Sequence, residues 1–70
     1  MNVTGTLRKS NGQWSVKDGS SGKKYELNGG DFPERVDGLT ARIVGAVEDS
    51  FGGGIIDDVV TLRVQRWDVV

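Results

Sequence analysis

Asp31-Phe32-Pro33-Glu34-Arg35-Val36-Asp37-Gly38 is the stretch that decides the fold. It reads as one short helical segment in a chain whose other apolar residues mostly alternate with period two. Proline disfavours helical geometry in the residue before it, so Phe32 falls at the cap. Pro33 then takes the first helical position, where its missing N–H costs nothing. Gly38 supplies the stop, because glycine adopts the left-handed conformation common just past a helix end. One or two turns is all this length allows. Phe32 and Val36 share a face suited to plugging one end of a barrel.

Strand patterns lie on both sides of the segment. Before it, Val3, Gly5 and Leu7 alternate with Thr4, Thr6 and Arg8. Ser10-Asn11-Gly12 makes a tight turn, Asn-Gly supplying the positive φ that hairpins favour. The second strand runs from Gln13 to Lys17 with Trp14 and Val16 inward. Asp18-Gly19-Ser20-Ser21-Gly22 is a looser turn, and the third strand, about Lys23 to Asn28, points Tyr25 and Leu27 inward. After the helical segment, Leu39 to Glu48 forms the fourth strand, with Leu39, Ala41, Ile43 and Val47 on one face. Gly45 falls on that face too and marks a bend at a barrel corner. Asp49 to Asp58 reads as a loop. The fifth strand, Val59 to about Val69, faces Val60, Leu62 and Val64 inward. Trp67 has the opposite parity, as it would after a bulge near Gln65.

Five strands broken after the third predict an all-β, closed, Greek-key barrel with one short helix between strands three and four. All 70 residues form one domain. A chain this short buries only about 60% of the surface its unfolded form exposes, so its stability is marginal. Zero cysteines rule out disulfides and zero histidines leave only carboxylates for a metal. The remaining stabilising devices are barrel closure and pairing with another copy. Met1 to Gly5 has no basic and apolar run of a signal peptide, and no stretch approaches the ~18 apolar residues of a membrane helix. A cytoplasmic protein, away from membranes, is the expectation. Net charge is −1, so nothing global attracts nucleic acid or anionic lipid; such binding would need a local patch.

Val3-Thr4-Gly5-Thr6-Leu7, Gly12-Gln13-Trp14-Ser15-Val16, Tyr25-Glu26-Leu27-Asn28-Gly29 and Leu39-Thr40-Ala41-Arg42-Ile43-Val44-Gly45 follow a loose order. It runs: strand with glycine, tryptophan strand, Tyr-x-Leu-x-Gly, then a strand that reaches a glycine. In that order the chain resembles the oligonucleotide/oligosaccharide-binding (OB) folds, and small bacterial OB-like domains of unknown function among them. An SH3-like barrel is the competing architecture, though its single helical turn usually falls before the last strand. The resemblance spans nearly the whole chain but implies a fold, not an activity.

The resemblance also implies a binding face: the outside of strands two and three, with the loops after strands one and four. Parity puts Arg8, Gln13, Ser15, Lys17 and Lys24 on that outside. Lys17 falls opposite Lys24, and directly opposed like charges weaken a sheet unless an anion bridges them. These five residues are the candidate site for single-stranded nucleic acid. Solvated strand-end lysines that discourage edge aggregation are the plainer reading of the same pair. No aromatic residue falls on the face, and base stacking contributes about 1–3 kcal/mol per base in single-strand binders.

The second candidate is the loop after strand four, where Phe51, Ile55 and Ile56 flank Gly52-Gly53-Gly54. Mobile loops with apolar groups often contact partners. These three residues form either a docking tip for a protein partner or a second copy, or a cap folded over the barrel.

Chemistry is poorly provided for. Gly19 to Lys24 reads G-S-S-G-K-K, which lacks the Walker A spacing, its final Ser or Thr, and its strand-to-helix setting. Gly52-Gly53-Gly54 precedes a strand and is no dinucleotide fingerprint. Asp49, Asp57 and Asp58 match no calcium-loop spacing. Acid–base and nucleophilic catalysis would have to proceed without histidine or thiol. A non-enzymatic binding module without cofactor or metal is therefore expected. It works through protein contact or self-association, with weak, sequence-tolerant nucleic-acid binding as the alternative.

Overall fold

The computed structural model describes residues 1–51 and 59–70, and side chains for 1–48 and 60–70. The elements in chain order are β1 (Asn2–Ser10), β2 (Gln13–Asp18), β3 (Lys24–Asn28), a 3-10 turn (Glu34–Val36), β4 (Thr40–Phe51) and β5 (Val59–Val69). They close in the order β1-β2-β3-β5-β4, with β4 returning to β1. β3 and β5 run parallel and every other pair is antiparallel.

Period-two alternation accounts for most of the core. Leu7, Val16, Val36, Ile43 and Leu62 are fully buried, joined by Val3, Tyr25 and Leu27. Each large apolar side chain buried this way contributes roughly 1.5–3 kcal/mol. Asn11 and Gly12 have φ of 53° and 78°, the two positive values that a type I′ hairpin turn requires.

β1 belongs to both halves of the barrel. Its residue Gly5 pairs with Asp18 of β2 on one side and Ala41 of β4 on the other. A Cβ there would collide with the carbonyl oxygen of Lys17. Only glycine lets the two ladders converge at that point. Gly45 does the same for β4, where a Cβ would collide with the carbonyl oxygen of Arg63. The β4–β5 register shifts between Val44 and Gly45, as expected of a bend.

The expected helix is a single 3-10 turn, with Pro33 at the cap instead of the first helical position. Its φ of −74° and ψ of 153° keep Pro33 extended, and the segment is too short for α-type bonding. Gly38 ends the turn at φ 87°. The N–H of Gly38 donates to Leu7 O at 2.8 Å, while Lys9 N–H reaches Asp37 Oδ1 at 3.1 Å. These bonds hold the turn against β1. Val36 and Phe32 then plug the barrel end.

Three strand assignments change. β4 begins at Thr40, and Leu39 is exposed at the barrel end. β4 also runs on through Asp49, Ser50 and Phe51, which pair with Thr61, Val60 and Val59. Those residues extend the hairpin instead of opening the loop. Val47, expected inside, is 55% exposed although it faces the fully buried Leu62 in register. The reason is coverage: β1 pairs with β4 only as far as Val44, and beyond it no strand among the described residues shields that edge.

Candidate functional site

The β1–β3 outer face forms much as the alternation predicts. Thr6, Lys17 and Lys24 make one row, with Lys17 directly opposite Lys24. Arg8 lies in the next row, against Ser15 and then Glu26. Arg8, Lys17 and Lys24 are exposed, and among the described residues none of them is in an ion pair.

Two of the five expected residues are otherwise engaged. Ser15 lies on the outer face but is only 5% exposed. Its small side chain sits between the larger Arg8 and Glu26 of the neighbouring strands, which shade it from solvent. Gln13 spends its amide on the backbone, donating to Leu27 O at 2.8 Å and to Trp14 O at 3.0 Å. Glu26 places a carboxylate among the three cations. The face is thus polar with three cations, and Tyr25 turns inward, 6% exposed.

At the foot of this face, Asp18 accepts from the N–H of Ser20 and from its hydroxyl, each at 2.9 Å. The backbone bond first, then the hydroxyl, holds the carboxyl below the usual aspartate range. Its chemistry is that of a turn.

Ile55 and Ile56 lie outside the described residues, as does the side chain of Phe51. The backbone of Phe51 pairs with Val59.

A second surface comes from strand lengths that the alternation does not reveal. β3 stops at Asn28, opposite Arg63, while β5 continues to Val69. The residues after β3 fill part of the space beside β5. Phe32 packs between Trp14 and Trp67, with ring centroids 5.3 Å and 4.9 Å apart and tilted planes. The Trp67 indole N–H donates to Gly30 O at 2.6 Å. Trp67 reaches this inward position because Gln65 is the extra residue of a bulge, between Val64 against Gly45 and Arg66 against Val44. The parity break at Trp67 was the one sequence signal for this arrangement.

On the outside of the same strand, Arg66 and Asp68 stand beside Val44 and Arg42 of β4. With Asn2 and Trp67 they line a shallow groove of about 200 Å³. Arg42 and Arg66 are in no ion pair among the described residues, although Arg42 faces Asp68 in register.

One carboxylate ties three strands together. Glu48 of β4 accepts from the Asn28 amide at 2.6 Å and from Arg63 Nε at 2.9 Å. The Asn28 bond first, and Arg63 second, hold its carboxyl below the usual glutamate range. Among the described residues no three His, Cys, Asp or Glu side chains converge on a point where a metal could sit. Among the described residues no helix is long and apolar enough to cross a membrane.

Comparison with protein-family models, with curated proteins and with solved structures finds no match for the chain. The candidate surfaces therefore rest on their own geometry: three cations on β1–β3, and the flank of β5 that no strand among the described residues pairs beyond Arg63.

Proposed function

We propose that this chain is a small OB-like barrel that acts as a non-enzymatic binding module through protein–protein contact. The strand order, with parallel β3 and β5, supports the OB-like reading. One observation carries the functional reading. Beyond Arg63, β5 has β4 on one side and no strand on the other among the described residues. Exposed strand edges accept added strands, and many recognition domains bind their partners in this way. Apolar groups lie beside the edge: Val69 is 46% exposed and Val70 73%.

A second reading rests on the Arg8, Lys17 and Lys24 face. Opposed lysines on adjacent strands repel each other, and a phosphate backbone would relieve that repulsion. The inward Trp14 and Tyr25 leave the face without a stacking platform, so weak, sequence-tolerant contact with single strands is all it supports.

Amide chemical shifts of the labelled protein separate the two readings. Shifts at Trp67 to Val70 that grow with protein concentration support protein contact at β5. Shifts at Arg8, Lys17 and Lys24 on adding a short single-stranded oligonucleotide, reversed by salt, would replace it with the second reading.

A further inference from the structure

β5 carries a self-complementary charge pattern beside an edge that no strand among the described residues pairs beyond Arg63. We infer that a second copy of this chain pairs there, antiparallel, about a two-fold axis at Trp67. The inference rests on the protein-contact reading and names its partner.

Backbone direction comes first. The N–H of Val70 donates to Thr40 O at 2.9 Å, so Val70 turns its peptide groups towards β4. In an antiparallel pair this direction alternates residue by residue. Arg66 and Asp68 therefore also bond towards β4, where they face Val44 and Arg42. Trp67 and Val69 direct N–H and C=O the other way, into the side that β3 has already left. Among the described residues, no backbone bond outside the strand ladders uses those groups.

Side chains then select the register. A two-fold pairing sets residue i against j and j against i. With the axis at Trp67, Arg66 faces Asp68 of the second copy and Asp68 faces its Arg66. Trp67 becomes a hydrogen-bonded rung, which its outward peptide groups require. An axis at Arg66 or at Asp68 would set like charges against each other and present the wrong peptide groups. An axis at Val69 would carry Arg66 away from Asp68.

The pairing also completes the groove on the outer face. Asp68 already has Arg42 beside it on β4. In the dimer its other neighbour is Arg66 of the second copy, so each carboxylate lies between two guanidiniums. Arg66, in no ion pair among the described residues, gains an acidic neighbour, while Arg42 keeps the one it has. Opposite charges facing each other across a strand pair stabilise it, and like charges do the reverse.

Two single charge reversals test the register by sedimentation velocity over a concentration series. Arg66 and Asp68 are both exposed, so neither change disturbs the core. The wild-type chain is expected to shift towards the dimer mass as concentration rises. Arg66→Asp alone and Asp68→Arg alone are each expected to remain monomeric, because each sets like charges opposite one another. Mixed in equal amounts, the two variants are expected to recover the dimer mass, since every rung then joins opposite charges. A misfolded variant cannot produce that recovery. A wild-type dimer unaffected by either reversal would overturn the register and leave protein contact standing. A wild-type chain monomeric at every concentration would overturn the second copy as the occupant.

Discussion

Trp67 and Gly30 are joined by an indole N–H to carbonyl bond of 2.6 Å across 37 residues of sequence. This bond fastens the segment after β3 to the far half of β5, on the side where no strand among the described residues pairs with it. Trp67→Phe keeps an aromatic ring against Phe32 but leaves the Gly30 carbonyl without its partner. The expected loss is about 1 kcal/mol, as for a typical internal hydrogen bond. Chemical denaturation followed by the remaining tryptophan, Trp14, measures it.

Gly5 and Gly19 both lie near β-ladder backbone, yet alanine should be tolerated at only one of them. A Cβ on Gly5 runs into the Lys17 carbonyl, whereas one on Gly19 meets only Thr4 O at an ordinary 3.8 Å. Gly5→Ala is expected to cost at least about 3 kcal/mol, the upper end for overpacking, because backbone cannot rotate away. Gly19→Ala should stay within about 0.5 kcal/mol of wild type. Paired denaturant midpoints decide the matter.

Acid should loosen the β3–β5–β4 junction through Glu48. Its carboxyl is held below the ordinary value in the folded chain, by Asn28 first and Arg63 second. A depressed folded pKa means that its contribution is fully present above the unfolded value. That contribution is lost as pH falls through the folded one. Stability should therefore decline on the acid side of the ordinary glutamate range. Glu48→Gln should flatten that part of the curve while changing little near neutrality. A denaturation series from neutral to acid pH for both proteins tests the sign.

Lys17 and Lys24 offer a change in the opposite direction. Their side chains are opposed in register and exposed, with no ion pair among the described residues. Lys17→Glu replaces a repulsive rung with an attractive one and should stabilise the fold by up to about 0.5 kcal/mol. The same substitution should abolish any salt-sensitive oligonucleotide binding. Thermal denaturation and an oligonucleotide titration report the two effects separately.

Sequence reading and structure agree where the determinants are local. Alternation placed Val3, Leu7, Val16, Tyr25 and Leu27 inside, and the Asn11-Gly12 turn set the first hairpin. The parity break at Trp67 announced the bulge at Gln65. The departures come from partners distant in the chain. Ser15 is buried because Arg8 and Glu26 flank it, which depends on the register of two ladders. Val47 is exposed because β1 ends its pairing at Val44. Asp49 to Phe51 belong to a strand because Thr61, Val60 and Val59 pair with them. Among the described residues, the unpaired flank of β5 follows from β3 being the shorter strand, a difference that parity alone does not expose. For the same reason the candidate nucleic-acid face kept Arg8, Lys17 and Lys24 accessible but lost Ser15.

The closed order β1-β2-β3-β5-β4 places the fifth strand between two made earlier. A nascent chain can form the β1–β2–β3 meander and lay β4 against β1 before β5 has left the ribosome. Until then β3 and β4 each present an unpaired side, and neither can pair with the other across the gap. Wedge-like insertion of β5 must come last, and it depends on contacts distant in sequence, which form slowly. This chain is most exposed to mispairing during the interval before β5 emerges.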